Sequence, residues 1–159
     1  VSGGFTLLEL VLAMVIMCTL LAVAAPSLRG FFTSRRTDDT AARIASLTRL
    51  ARSRAITEGR VYRLRFDDRL RTFYLTAQRD AGFERPVSSL GRPSAVPADV
   101  QLDLLVDGAD PGRDYVEFYP DGRTEPASVR LTDIKGFVLE VACPAPTELF
   151  TVTRPETDR

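Results

Sequence analysis

The chain has 159 residues, with 21 Lys or Arg balanced by 21 Asp or Glu, no His and two Cys. That length holds one compact domain of about a hundred residues plus an extension, and the even charge balance argues against a surface that coats nucleic acid wholesale. Without His the common zinc sets and the His-containing catalytic triads are removed, so no metal, cofactor or catalytic constellation is expected.

The first element is the most distinctive. From Phe5 to Leu28 the only charged side chain is Glu9, and Leu10 to Ala25 contains apolar side chains and Thr19 alone. A helix over that span would measure roughly 36 Å, enough to cross a hydrocarbon core of ~30 Å. Cys18 lies inside the apolar run and Cys143 near the other end of the chain, so both are expected as free thiols. Ala22 to Ala25 imitates a signal-peptidase site, but a cut there would leave Pro26 at or beside the new N-terminus, which favours an anchor that is retained. Pro26 lacks an amide hydrogen and meets the carbonyl of Ala22, so a kink or loosened turn is expected at that point.

A carboxylate at the bilayer centre costs about 2.5 to 3.5 kcal/mol on insertion scales. No basic residue lies within two helical turns of Glu9. Two readings follow: the partner comes from another chain, or Glu9 snorkels to the nearby interface.

After Arg29, Arg35 and Arg36, the residues Ala41, Ile44, Leu47, Ala51 and Ala55 recur at spacings of three and four, which predicts a narrow apolar face on an amphipathic helix. Arg43, Arg49, Arg52 and Arg54 fall on its other faces, and Gly59 is a stop signal. This helix is expected to continue the apolar one into a long spine, with a break at Thr33 to Asp39 as the alternative.

The remainder reads as strands. Tyr62, Leu64 and Phe66 alternate with Arg63 and Arg65; Asp67 and Asp68 form a turn; Leu70 to Gln78 returns as the hairpin partner. Asp80 to Asp99, rich in Gly, Pro and Ser, is expected as a long irregular connection. Further strands are predicted over Val100 to Val106, Tyr115 to Tyr119, Ser128 to Thr132, Phe137 to Ala142 and Leu149 to Thr153. Within VEFYPDGR, Pro120, Asp121 and Gly122 form a strong turn signal, since Pro presets φ and Gly accepts the left-handed conformation. Acid pairs such as Asp67/Asp68 and Asp107/Asp110 sit in turns, where Asp caps backbone amides, so no enzymatic role is read into them.

The segment GFTLLELVLAMVIMCTLLAVAAPSLRG resembles the N-terminal signal of type IV pilins and type II secretion pseudopilins. The resemblance rests on Gly4, Phe5, Thr6, Leu7, Glu9 and Pro26. It implies cleavage by a prepilin peptidase between Gly4 and Phe5, N-methylation of Phe5, a role for Glu9 in subunit assembly opposite the amine of a neighbouring Phe5, and a helix interruption at Pro26. The turn at Pro120, Asp121 and Gly122 is similar to the F-x-P-D-G turn of the GspH/FimT group; where members of that group carry a Thr-Gly turn before the last strand, this chain has Ala145, Pro146, Thr147 and Glu148.

The resemblance implies an α+β pilin-like roll, a long N-terminal hydrophobic helix spine on antiparallel β-sheet. The implied organisation is a leader remnant at 1–4, a transmembrane and filament-core helix at 5–28, its amphipathic continuation at 29–58 and a periplasmic β-rich domain at 59–159. The implied partners are other minor and major pseudopilins, the prepilin peptidase, the inner-membrane assembly platform and the lipid bilayer. The implied location is the bacterial inner membrane, single-pass with a cytoplasmic N-terminus, and then the pseudopilus. Arg29, Arg35 and Arg36 run against the positive-inside rule in that topology, so compensating basic residues are expected in a leader upstream of Val1. Twelve Arg against five acids between Arg29 and Arg71 raise DNA binding as an alternative, as in FimT-like pilins. Sparse aromatics there, and the lack of the basic C-terminal motif associated with DNA-binding pilins, argue against nucleic acid as a partner. A membrane-tethered ligand-binding module is a more distant third reading.

Overall fold

A computed structural model describes residues 6–87, 91–110 and 112–155, with the side chains of 23–34 excepted. Two compact units result, 1–35 and 36–159. Helix α1 runs Leu7–Glu58 and its assignment crosses Thr33 to Asp39 without interruption. Nine strands follow: β1 Tyr62–Asp67, β2 Thr72–Arg79, β3 Gly82–Glu84, β4 Ser94–Ala95, β5 Val100–Val106, β6 Tyr115–Phe118, β7 Ala127–Asp133, β8 Val138–Cys143 and β9 Thr151–Thr153.

In the first unit the described side chains of the helix, 6–22, are all exposed. Thr6 caps it: the Glu9 N–H donates to Thr6 Oγ1 at 3.3 Å, satisfying one of the amides that every helix leaves open at its start. Among the described residues no helix is long and apolar enough to cross a membrane.

The second unit holds the core. One antiparallel sheet has the order β3-β2-β1-β6, with β4 also pairing with β2; the other has the order β5-β7-β8-β9. The β1–β2 hairpin keeps unbroken register from Tyr62↔Ala77 to Asp67↔Thr72, and period-two alternation puts Tyr62, Leu64, Phe66, Phe73 and Leu75 into the core. From the second sheet come Val100, Val129, Leu131, Leu139, Val141 and Cys143.

The helix contributes small side chains to that core. Ala41, Ile44, Ala45, Ala51 and Ala55 are buried, which lets the helix axis lie close to the sheets. Leu47, expected on this face, is only partly buried, and the stripe passes instead through Thr37, Thr40 and Thr48. Thr40 and Thr48 avoid the cost of a buried hydroxyl by donating to the helix's own carbonyls, Thr40 to Arg36 at 2.7 Å and Thr48 to Ala45 at 2.8 Å.

The Asp80 to Asp99 connection is more ordered than its composition predicts. Its two short strands pair with opposite ends of β2, Ala77 to Arg79 with β3 and Thr72 to Phe73 with β4. Gly91 closes the loop between them, since a Cβ there would come within 2.2 Å of the Pro86 carbonyl oxygen. Arg63, on the alternate positions of β1, is sandwiched between the rings of Phe83 and Tyr115 at 3.5 and 4.1 Å, with Glu117 as its ion-pair partner at 2.6 Å. Cation–π contact and charge pairing thus close the outer side of the first sheet.

Candidate functional site

Two sets of residues carry the sequence motifs. The first is the start of α1. Glu9 sits in its first turn, where the positive end of the helix dipole favours a carboxylate. Among the described residues Glu9 forms no ion pair with any cation. Around it Leu7, Leu8, Leu10, Val11 and Leu12 are exposed, an apolar surface with nothing against it within the described residues. Gly4, Phe5 and the side chain of Pro26 lie outside the described residues. Cys18 is exposed on the same helix. The sequence reading missed Thr6 as the cap, although the spacing Thr-Leu-Leu-Glu is the signal for it.

The second set surrounds the turn at Pro120, Asp121 and Gly122. The Gly122 N–H donates to the Tyr119 carbonyl at 3.0 Å and the Tyr119 N–H to the Arg123 carbonyl at 2.9 Å, so a tight loop reverses the chain. Gly122 has φ +83, and a Cβ on it would lie 3.3 Å from Ile56 Cδ1, so the turn seats directly on the last turns of α1. Asp121 accepts from the Arg123 N–H at 2.9 Å and from its guanidinium at 2.6 Å. These bonds, the backbone one foremost, hold its carboxyl below the usual range.

Beside this turn a half-buried charge cluster ties β6 to the loops on either side of it. Glu125 accepts from Arg113 at 2.8 Å and from the Glu117 N–H at 3.0 Å, and Glu117 accepts from the Tyr119 hydroxyl at 2.8 Å. Burial first, and then the Glu117 bond, push the Tyr119 phenol up to about 12. Arg52 completes the region by donating to the carbonyls of Glu148 and Thr147 at 2.7 and 3.0 Å. That places a helix guanidinium under the Ala145 to Glu148 turn. Thr124 N–H donates to the Pro146 carbonyl at 2.9 Å, so the two turns are joined to each other as well as to α1. Cys143 lies under the same turn, its thiol 3.1 Å from the Ala145 carbonyl and pushed up chiefly by burial. Arg52 reads from sequence as one more exposed cation; only the long-range contact reveals its role.

Glu9 lies in the first unit and the Pro120 to Gly122 turn in the second. What they offer chemically is packing, charge pairing and turn geometry. Among the described residues no group of three or more His, Cys, Asp or Glu is placed to hold a metal ion.

No curated protein matches the chain. Two solved structures of the minor pseudopilin EpsH from the type II secretion system of Vibrio cholerae are similar to it in fold. One has a TM-score of 0.63 at 14% identity, covering 76% of this chain and 98% of that one; the other has 0.62 at 12%, covering 79% and 98%. The family model described as "Type II transport protein GspH" matches residues 40–142, from Thr40 in the helix through Ala142 in β8, a span that includes the Pro120 to Gly122 turn. The chain therefore belongs to the GspH family of type II transport proteins.

Proposed function

We propose that the chain is a minor pseudopilin that enters the periplasmic pseudopilus near its tip and supports its assembly and protein export. The observation that carries this reading is the exposed apolar start of α1 with one carboxylate, Glu9, unpaired among the described residues. Such a surface is stored in the inner membrane before assembly and buried against like helices afterwards. Cleavage between Gly4 and Phe5 and methylation of Phe5 would free an amine that can meet Glu9 of a neighbour. Joining with other minor and major pseudopilins on the inner-membrane platform follows from this use of the helix. Pro26 would serve as the place where the helix loosens as it packs.

The test is co-purification from membranes of cells carrying the other pseudopilins. Wild-type chain should bring them down, Glu9→Gln should lose most of that association, and export should fall with it. If Glu9→Gln and Glu9→Ala both assembled and exported like wild type, the pairing role would be wrong. The alternative of a minor type IV pilin of the FimT/FimU kind would instead be supported by salt-sensitive binding of labelled DNA.

A further inference from the structure

A further surface lies at the C-terminal end of α1. There a cleft of about 300 Å³ is lined by Arg54, Arg60, Arg79 and Arg85, by Glu58 and Glu84, and by Pro86 and Val87. Its four guanidinium groups face two carboxylates, leaving two positive charges in surplus. Asp80 stands in the β2–β3 turn outside the lining.

The carboxylates are unequally engaged. Glu58 takes Arg54 at 3.2 Å, the Tyr62 hydroxyl at 2.8 Å and both the Nε and a terminal nitrogen of Arg60, so its acceptor sites are filled. Hydrogen bonds from Tyr62 and then Arg60 keep it ionised. Among the described residues Glu84 meets only Arg79, loosely, at 3.5 Å. Arg85 lies over the ring of Tyr74 at 4.4 Å, which orients it, and among the described residues no carboxylate pairs with it. Val87, on the lip, is fully exposed, and the Pro86 carbonyl oxygen beside it packs where a Cβ on Gly91 would stand.

We propose that this cleft binds an acidic, partly apolar peptide segment of a partner protein. Planar guanidinium forks match carboxylates in a bidentate manner, and the spread of Arg54, Arg60, Arg79 and Arg85 around an open cleft suits successive side chains of an extended segment. A compact polyanion fits less well, because Glu58 and Glu84 stand in the lining and would repel closely spaced phosphates. Val87 and Pro86 supply an apolar contact beside the charges, as an acidic segment with a Leu or Phe would need. The placement of the cleft does not depend on how the apolar helix assembles.

The experiment uses the full chain in detergent micelles and a fluorescein-labelled peptide carrying Asp and Glu beside Leu, read by fluorescence anisotropy. The wild-type chain should bind it at about 50 mM salt and lose affinity at about 300 mM, while the Asn/Gln version of the peptide should not bind. The double variant Arg79→Gln/Arg85→Gln should bind about tenfold more weakly. Both side chains are largely exposed, and an unchanged thermal melt checks that the fold is intact. Val87→Glu, which keeps every arginine, should also weaken binding. Equal binding of the amide peptide, unchanged affinity in both variants, or more effective displacement by inorganic phosphate or single-stranded DNA than by unlabelled acidic peptide would overturn the proposal.

Discussion

A local role of Glu9 and the proposed pairing can be separated by a single substitution. As the carboxylate in the first turn it favours α1 locally, and under the proposed assembly it would meet a cation from a neighbouring chain. Glu9→Gln keeps the shape while removing the charge, so helicity should change little, but incorporation should fall by about tenfold or more, equivalent to ~1.4 kcal/mol. Circular dichroism and co-purification read the two effects independently. At Gly122 the strain is local. Gly122→Ala must place a side chain at φ +83 and against Ile56, so it should lose about 1 to 2 kcal/mol from the left-handed backbone alone, with the steric part relieved by Ile56→Val in a double-mutant melt. Tyr119 sets a pH limit. Its folded-state value is raised, so its contribution to stability is complete below the ordinary phenol value of about 10 and is lost as pH rises through about 12. An ultraviolet titration should show a late phenolate transition that Tyr119→Phe removes, beside that of Tyr62, whose phenol burial also raises.

The elements show what periodicity conveys and what it cannot. The spacing of Ala41, Ile44, Ala51 and Ala55 identified the buried stripe because burial follows the 3.6-residue period. Leu47 and Thr48 were exchanged because a Thr hydroxyl can be satisfied by its own helix, an option invisible in a count of apolar residues. Alternation located β1, β2 and β5 to β8 closely. The connection before β5 was misjudged, since β3 and β4 are only three and two residues long and exist through pairing with β2 rather than through any pattern of their own. The partners of Arg52 and Arg63 were not legible for the same reason: they lie 95 and 54 residues away, and sequence spacing says nothing about contacts at that range. Helix α1 is held to the C-terminal turn by Arg52, so Arg52→Ala should lose about 0.5 to 1.5 kcal/mol, because water can reach the two exposed carbonyls it leaves, measured by urea unfolding. In a Cys18→Ser background, Cys143 should resist maleimide until the protein unfolds, because β8 buries it.

For the whole molecule, the sequence divides labour between an apolar helix that no described side chain covers and a domain whose core is complete in itself. The GspH family match spans residues 40–142, from the buried face of the helix through β8. Processing at Gly4 and Phe5 and pairing through Glu9 are proposals drawn from the first element, and they depend on one chemical event. The most direct measurement is therefore the mass of the N-terminal peptide of chain recovered from membranes of cells with an active prepilin peptidase. The account predicts a peptide that begins at Phe5 and carries one methyl group on its amine. A peptide that retains Gly4, or an unmodified Phe5, would contradict it.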